Sequence, residues 1–273
     1  MFGKNRYWGA ILEKVTGASH VQKGTPCEDA GIYNSEGQRL IVAIADGHGS
    51  EKCPRAAKGA ELAAQAAVYS LTIYANQIVT DKYEGKRRNA SRFAEETVPK
   101  NLLREWHRFV KEDYEKEPML EHPPEDDRAL FKLYGTTVLA ALMEKDYALF
   151  LQLGDGCIAL FTKAGEVDKV FLLGDEFLGN ETTSLSLPNA ETAVELHYQH
   201  LENRAQGILL ATDGFTNSFL SEADFNQYVV DLFAFRIKRG TEWLNKKLLG
   251  WLTELSSQGS GDDITVALVY SKK

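Results

Sequence analysis

Apolar and polar positions alternate along the chain with a period that changes from that of a strand to that of a helix and back. An apolar run that ends in "LIVAIAD" predicts a buried strand, and the segment before it predicts a hairpin partner with a turn at 35–37. The alanine-rich stretch that follows has apolar residues three and four positions apart, which predicts a helix. A further helix is predicted over "ASRFAEETVPKNLLREWHRFVKEDYEK", interrupted near Pro99, because proline lacks the amide hydrogen that a helix interior needs.

The second half of the chain is predicted to form mainly strands. They are, in order, "GTTVLAALME", "DYALFLQLGD", "CIALFTKAGEV", "DKVFLLGDE", "AETAVELHYQ", "QGILLATDG" and "DDITVALVYSK". Two helices are predicted before the last of these strands, with Ser221 and Thr241 as their N-caps.

The spacing and polarity of these segments predict the fold class. Short connections between the middle strands indicate antiparallel pairing, since parallel neighbours need long crossovers. Segments such as "DYALFLQL" are apolar on both alternating sets of positions, so both faces of each sheet are expected to be covered. We therefore predict an α+β fold in which two antiparallel sheets pack on each other with helices outside. The proline-rich tract at 116–127 lies between strands, so we expect one domain spanning residues 1–273.

Acidic residues recur at four strand boundaries, next to a glycine or to a second aspartate. They are Asp46, Asp155, Asp213 and the Asp262–Asp263 pair, and an early "CEDA" adds Glu28 and Asp29. Any one of these Asp-Gly sites alone is ordinary turn chemistry. Several carboxylates at one end of a sandwich would repel one another, however, and a charge beside an apolar strand is costly unless it is compensated. Taken together, they predict a cation site.

The donor types in this set favour a hard divalent cation. Carboxylates, a backbone carbonyl and water suit Mg²⁺ or Mn²⁺, whereas zinc prefers His and Cys ligands, which are missing here at useful spacings. Gly47 would let the backbone approach a cation beside Asp46. His48 follows directly and is either a turn residue or a general acid, a role that suits the ordinary imidazole pKa of about 6.5.

Composition and charge narrow the class of protein. The 273 residues include 31 Lys and Arg against 39 Asp and Glu, a net charge of −8, which argues against nucleic-acid or anionic-membrane partners. Cys27, Cys53 and Cys157 form no C-x-x-C pair, so we expect free thiols in a reducing compartment. No run approaches the roughly 20 apolar residues that span a bilayer, and the first residues lack the apolar core of an export signal. We expect a cytoplasmic protein.

Six sequence blocks occur in a recognisable order along nearly the whole chain. They are "CEDA" at 27–30, "VAIADGHGS" at 42–50, "GTTVLAAL" at 135–142, "LQLGDG" at 151–156, "ILLATDGF" at 208–215 and "GDDITVALV" at 261–269. Together they resemble the metal-dependent Ser/Thr protein phosphatases of the PPM family, the type 2C phosphatases, and especially their shorter bacterial branch. The resemblance implies a four-layer α-β-β-α sandwich with a two-metal centre at one end of the sheets.

The resemblance also implies a role for each acidic strand end. Asp46 would bridge two metal ions, either Mn²⁺ or Mg²⁺, and so take part in catalysis, while the Gly47 carbonyl would complete one coordination shell. Asp213 and Asp262 would hold the first metal, and Glu28 would hold the second.

Further roles follow from the same resemblance. Asp29 would support metal-bound water, and Asp155 falls where some members bind a weaker third metal. His48 would be the general acid that protonates the leaving oxygen. Thr136 and Thr137 match a core motif and are expected to serve structure.

The phosphate-binding arginine of the family has no counterpart here, because Gly24 stands at that position. Lys23 is adjacent to Gly24, and Arg55 follows the loop that contains Asp46 and Gly47, so both are candidates for binding the substrate phosphate. A lysine lacks the two-pronged fork of arginine, and Lys23 could equally be a solvated loop residue. A flap beside the site is expected within 174–204.

The implied function is hydrolysis of phosphoserine and phosphothreonine by a hydroxide that two metals activate. Phosphorylated proteins would be the substrates of this monomeric signalling hydrolase, and a Ser/Thr kinase would oppose it. Two alternatives on the same fold remain open. One is a catalytically weak phosphoprotein-binding module, which the missing arginine suggests, and the other is a phosphomonoesterase for small metabolites.

Overall fold

Strands and helices follow one another largely in the predicted order in the computed structural model, which describes residues 7–85, 89–121, 123–171, 183–201 and 205–272. The strands are β1 (Trp8–Val15), β2 (Asp29–Glu36), β3 (Arg39–Asp46), β4 (Val138–Met143), β5 (Tyr147–Leu153), β6 (Cys157–Thr162), β7 (Val167–Lys169), β8 (Glu195–His200), β9 (Ala205–Ala211) and β10 (Ile264–Ser271). The helices are α1 (Ala18–Lys23), α2 (Ala56–Tyr83), α3 (Ala90–Lys116), α4 (Asp127–Lys132), α5 (Ala190–Ala193), α6 (Asp213–Thr216), α7 (Glu222–Arg239) and α8 (Thr241–Gln258). None of the helices in these ranges combines the length and hydrophobicity that crossing a bilayer requires.

The strands form two five-stranded sheets in which every pair is antiparallel. The first sheet has the order β1-β10-β9-β6-β7, and the second has the order β2-β3-β4-β5-β8. The hairpin predicted around 35–37 is present, since β2 and β3 pair from Asp29 opposite Asp46 to Glu36 opposite Arg39. The antiparallel α+β prediction is confirmed.

Neighbouring residues on the central strands face different layers, which explains why both alternating sets are apolar. On β3, Ile41 packs in a cluster with Trp106 of α3, whereas Val42 packs between the two sheets. On β9, Leu209 lies in the cluster with α7 and α8, and Leu210 lies between the sheets. Because successive side chains of a strand point to opposite faces, each sheet is buried on both sides. The result is the four-layer α-β-β-α sandwich.

The predicted interruption at Pro99 is wrong, because α3 continues through this residue. A proline in a helix interior costs about 3 kcal/mol. On the same helix, however, Val98, Leu102 and Trp106 are fully buried, and burial of each such side chain is worth roughly 1.5–3 kcal/mol. The packing of the helix outweighs the local cost of the proline.

Helix capping follows one prediction and departs from the other. Ser221 is the N-cap of α7, where its hydroxyl accepts a hydrogen bond from the Asp224 amide at 3.2 Å. Thr241 is instead the first residue of α8, and its N-cap is Gly240, whose φ of 88° favours glycine.

Several short elements differ from the sequence-based expectations. The helices α1, α4 and α6 were not predicted, and the first residues of the segment predicted as the strand "AETAVELHYQ" form α5. The strand predicted over "DKVFLLGDE" is seen at Val167–Lys169, and its residues from 172 onward lie outside the described residues. Of the expected flap at 174–204, residues 183–201 form α5, β8 and their flanking turns, and the remainder lies outside the described residues.

Two helical glycines provide a matched test of the packing between layers. A Cβ atom on Gly59 of α2 would collide with the Tyr134 carbonyl oxygen, and the Gly59 carbonyl accepts a hydrogen bond from Trp106 Nε1 at 3.2 Å. We expect Gly59→Ala to lower the free energy of unfolding by about 1–3 kcal/mol, because overpacking outweighs the gain in helix propensity. An added Cβ on Gly250 of α8 meets no atom within 4 Å. Gly250→Ala should therefore raise the free energy of unfolding by roughly 0.5–1 kcal/mol. Urea unfolding of both variants measures the difference, and stabilisation by both would contradict the argument.

Candidate metal centre

The acidic strand ends meet in a cavity of about 350 Å³ at one end of the sandwich. Eight of the ten predicted site residues line it: Lys23, Glu28, Asp46, Gly47, His48, Asp155, Asp213 and Asp262. The other two, Asp29 and Arg55, do not line it. The structure therefore brings together residues from near both ends of the sequence, from Lys23 to Asp262.

Antiparallel pairing accounts for this convergence. Asp46 is the last residue of β3, and Asp29 lies directly opposite it as the first residue of β2. Asp213 follows β9 and Asp262 precedes β10, and these two strands are antiparallel neighbours. Asp155 lies in the turn between β5 and β6, which belong to different sheets. All of these residues therefore lie at the same end of the two sheets.

Two threonines anchor the backbone at the end of β3. The Asp46 carbonyl accepts hydrogen bonds from the Thr137 amide and the Thr136 hydroxyl, both at 2.8 Å. The Thr137 hydroxyl accepts one from the Asp46 amide at 3.2 Å. Further along, the His48 amide donates to the Gly135 carbonyl at 3.0 Å. These contacts hold the loop from which the Asp46 and His48 side chains project.

Two glycines let Glu28 approach the same loop. A Cβ atom on Gly47 would lie 2.7 Å from the Ala56 carbonyl oxygen and 2.8 Å from that of Glu28. A Cβ atom on Gly49 would collide with the Glu28 carboxylate. The Gly47 amide also donates a hydrogen bond to the Glu28 carbonyl at 3.2 Å. Larger residues at either position would displace Glu28 from the cavity.

Burial opposes the negative charges that are gathered here. Burial raises the pKa of Glu28, Asp46 and Asp213, and repulsion from neighbouring carboxylates raises the pKa values further. Burial also raises the pKa of Asp29, despite a hydrogen bond from the Thr212 hydroxyl at 2.9 Å. Carboxylates that resist ionising together are stabilised as anions when a cation lies among them.

Two buried carboxylate oxygens, Asp29 Oδ1 and Asp213 Oδ1, have no hydrogen-bond partner among the described residues. Buried polar atoms are nearly always satisfied, so both oxygens indicate a missing electrostatic partner. Together with the Gly47 carbonyl and water, the donors are all oxygen atoms, which fits Mg²⁺ or Mn²⁺. Over the described ranges, no three Asp, Glu, His or Cys side chains are grouped closely enough to hold a metal ion by themselves. This agrees with the usual behaviour of Mg²⁺ in proteins, which keeps several water molecules as ligands in addition to protein oxygens.

His48 is half-buried at the same cavity. Burial lowers the pKa of its imidazole, and the Asp155 carboxylate partly counteracts that shift. A general acid must carry a proton, so negative charge brought by a phosphate ester would favour the form that His48 needs for proton donation.

Asp263 organises the cavity in a way that the sequence did not reveal. This side chain is 4% exposed, and its two oxygens accept hydrogen bonds from the Gly17 amide at 2.6 Å and the Glu28 amide at 2.7 Å. His20 Nδ1 lies 3.0 Å from Asp263 Oδ2, and His20 Nε2 lies 3.9 Å from Asp262 Oδ1. The available signal was the doubled aspartate, but its partners lie 246 and 235 residues away in the chain.

The adjacent aspartates provide a test that separates structure from metal binding. We expect Asp263→Ala to lower the free energy of unfolding by about 2–4 kcal/mol, because two amides lose a charged acceptor. The Asp262 side chain is 52% exposed, so Asp262→Ala should change stability by less than about 0.5 kcal/mol while weakening Mn²⁺ binding. Urea unfolding and calorimetric titration with Mn²⁺ measure the two effects. Equal destabilisation by both variants would contradict the assignment.

The two candidate phosphate-binding residues differ in their surroundings. Lys23 is the last residue of α1 and is exposed at the cavity. Arg55 donates hydrogen bonds to the Tyr134 hydroxyl at 2.7 Å and to the Glu117 carbonyl, and it lies 3.6 Å from Asp113. These contacts tie the start of α2 to the end of α3. Lys23 is therefore the better placed of the two.

Comparison with known proteins relates the chain to a family. A family model described as protein phosphatase 2C matches residues 16–253. No curated protein sequence matches the chain significantly.

Solved structures of several bacterial phosphatases are similar in fold. The catalytic domain of the serine/threonine protein phosphatase PstP, in complex with two manganese ions, is 18% identical with a TM-score of 0.59, and the match covers 98% of this chain and 99% of that one. The serine/threonine phosphatase Stp1 from Staphylococcus aureus is 16% identical with a TM-score of 0.59, over 100% and 98% of the two chains. RsbX in complex with magnesium is 14% identical with a TM-score of 0.53, over 100% and 99%. At these identities the likeness shows a shared fold.

Proposed function

The chain belongs to the protein phosphatase 2C family, and on that premise we propose that it is a metal-dependent phosphatase that hydrolyses phosphoserine and phosphothreonine in proteins. One observation carries the proposal: six acidic side chains from separate parts of the chain line one cavity, namely Glu28, Asp46, Asp155, Asp213, Asp262 and Asp263. A phosphate ester is itself negative, so it would enter such a cavity only together with cations. The two unpartnered carboxylate oxygens support the same reading.

The residues that would hold the cations can be assigned on this basis. Two Mn²⁺ or Mg²⁺ ions would be held by Asp46, the Gly47 carbonyl, Asp213, Asp262 and Glu28. When bound, such a pair supplies an activated water and offsets charge on the phosphoryl oxygens. Asp29, which lies opposite Asp46 on β2, would accept a hydrogen bond from water near the cations, and Asp155 is the candidate ligand of a third ion.

Two further side chains would act on the substrate. His48 would give its proton to the oxygen that leaves phosphorus, which is the step that an alkoxide leaving group needs most. Lys23 would contribute a positive charge near the incoming phosphate. A lysine acts as a point charge, so it would orient the phosphate less strictly than an arginine would.

The proposal includes the setting of the reaction. Its macromolecular partners would be phosphorylated proteins and the Ser/Thr kinase that opposes the phosphatase in a signalling pathway. We propose that the chain works as a cytoplasmic monomer and as one domain over residues 1–273.

A kinetic comparison on one preparation tests this function against the two alternatives. Phosphoserine and phosphothreonine peptides, a sugar phosphate and p-nitrophenyl phosphate are each assayed with Mn²⁺, with Mg²⁺ and with excess EDTA. We expect metal-dependent hydrolysis with the highest kcat/KM on the phosphopeptides. Activity that survives EDTA would contradict the metal centre, and a clear preference for the sugar phosphate would favour the metabolite phosphomonoesterase. Calorimetric binding of Mn²⁺ and phosphopeptide without turnover would favour the binding module.

A further inference from the structure

A second cavity, of about 710 Å³, lies at the end of the sandwich opposite the acidic cavity. It is lined by the first residues of β1 and the last residues of β10, including Trp8 and Ser271, whereas the acidic cavity lies at the other end of the same pair of strands. Its volume falls in the range of about 300–1,000 Å³ that small-molecule sites occupy. No residue of the proposed catalytic machinery contributes to it.

An aromatic wall forms one side of this cavity. Tyr270 of β10 stands opposite Gly9 of β1 on one side and Gly207 of β9 on the other. A Cβ atom on Gly9 would lie 2.5 Å from the Tyr270 ring, and a Cβ atom on Gly207 would collide with the ring of Phe233. The Phe233 ring is itself stacked on Phe161 with the centroids 4.7 Å apart. The glycines therefore make room for rings that lie flat across the sheet.

Arg236 of α7 supplies a cation without a counter-charge. Its guanidinium carbon lies 4.0 Å from the centre of the Tyr270 ring. In the part of the chain that the structure describes, its guanidinium makes no hydrogen bond and no ion pair. Arg236 is half-buried, and this burial lowers the pKa of its guanidinium. Such a cation is costly unless an anion or an aromatic face compensates it, and the ring satisfies one side of the plane.

Cations outnumber carboxylates among the other charged side chains that the structure describes around this cavity. Lys145 and Lys163 also line it, and both are exposed. The carboxylate among the described lining residues is that of Asp146, which lies 3.7 Å from Lys145 in an exposed pair of low strength. The chain as a whole carries a net charge of −8, so this local excess of positive charge contrasts with the rest of the molecule. An anionic ligand fits this end of the sandwich.

We propose that this cavity binds a nucleotide, with the phosphates on Arg236 and Lys163 and the base against the aromatic wall. The guanidinium presents a planar set of donors that matches phosphate oxygens. Aromatic side chains are common contacts for a base, and the half-buried Tyr7 lines the cavity together with the wall. A simple inorganic anion would leave most of the cavity and its aromatic lining unused. The site is separate from the proposed phosphatase centre and stands without it.

Calorimetric titration with ADP tests the proposal. Adenosine serves as the probe that lacks phosphates, and pyrophosphate serves as the probe that lacks the base. The titrations use Asp46→Asn protein without divalent cations, so that binding at the acidic cavity does not contribute. We expect ADP to bind at least about tenfold more tightly than either fragment, because each fragment loses one of the two contact sets. Absence of ADP binding would overturn the proposal, and so would pyrophosphate that binds as tightly as ADP.

Substitutions locate the binding within the cavity. Arg236→Gln and Lys163→Gln should each weaken ADP binding by about tenfold or more. The matched control is Arg239→Gln, an exposed arginine on the same helix that does not line the cavity, and it should bind ADP normally. Because Lys163 is exposed, its variant tests the site even if Arg236→Gln disturbs the packing on Tyr270. The assignment would be overturned if Lys163→Gln bound ADP as tightly as Arg239→Gln does, while Arg236→Gln either bound ADP normally or failed to fold.

Discussion

Replacing Asp46 with Asn is expected to lower kcat/KM for a phosphothreonine peptide by about 1,000-fold. Asp46 ends β3 among the other carboxylates of the cavity, where it is the proposed ligand common to both cations. Loss of about 4 kcal/mol of cation-dependent stabilisation of the transition state gives a change of this size. Assays at saturating Mn²⁺, together with calorimetric titration of Mn²⁺, would show a loss of both activity and metal affinity.

The fold should tolerate this change well. The backbone of Asp46 is held by Thr136 and Thr137 through hydrogen bonds that do not involve its carboxylate. The substitution also removes one buried negative charge from a repulsive group, so metal-free Asp46→Asn should unfold at the same temperature as the parent or higher. Asp168→Asn, at an exposed position on β7, is the matched control and should retain full activity. Normal Mn²⁺ affinity and activity in Asp46→Asn would exclude Asp46 as the shared ligand.

Replacing His48 with Gln should slow hydrolysis of a phosphothreonine peptide by about 100- to 10,000-fold, the usual contribution of a general acid. The same variant should lose much less activity on p-nitrophenyl phosphate, because nitrophenolate leaves without needing a proton. His48 lines the cavity beside the carboxylates, and its amide is anchored on the Gly135 carbonyl. Comparing kcat for the two substrates measures this difference in sensitivity to the leaving group.

Two further observations decide whether His48 acts in proton transfer or in structure. A structural role would slow both substrates equally and would lower the melting temperature, which would contradict the general-acid assignment. The matched control is His107→Gln on α3, because that half-buried imidazole is stacked on Phe131 at 3.9 Å and does not line the cavity. This control should leave kcat unchanged for both substrates.

Local sequence patterns were sufficient for much of the fold. Strands such as β3 and β9 are apolar on both alternating sets because each is covered on both faces, and that pattern is visible in any short window. Short turns between strands predicted antiparallel pairing, which is confirmed. Pro99 shows the limit of this reasoning: its local cost is overcome by burial against α2 and the sheet, and that burial depends on residues far away in the chain.

The residues of the candidate site also fall into two groups, those that the sequence could predict and those that only the tertiary structure could distinguish. The carboxylates at strand ends could be predicted because each one interrupts an apolar run, and because their order resembles that of a known family. Lys23 and Arg55 looked equivalent in sequence, yet Arg55 is engaged by Tyr134 and Glu117 while Lys23 faces the cavity. No local pattern distinguishes two cations whose partners are set by tertiary packing.

The sequence by itself determined which segments are strands, which strand ends carry charge, and which family the chain resembles, since each depends on residues close together in the chain. Only the tertiary structure decided that Asp263 holds the amides of Gly17 and Glu28, and that Arg236 lies on Tyr270 at a second cavity. Those contacts join residues from distant parts of the sequence. Their formation depends on how the sheets and helices pack, because burial and hydrogen bonding are properties of the assembled layers rather than of any one segment.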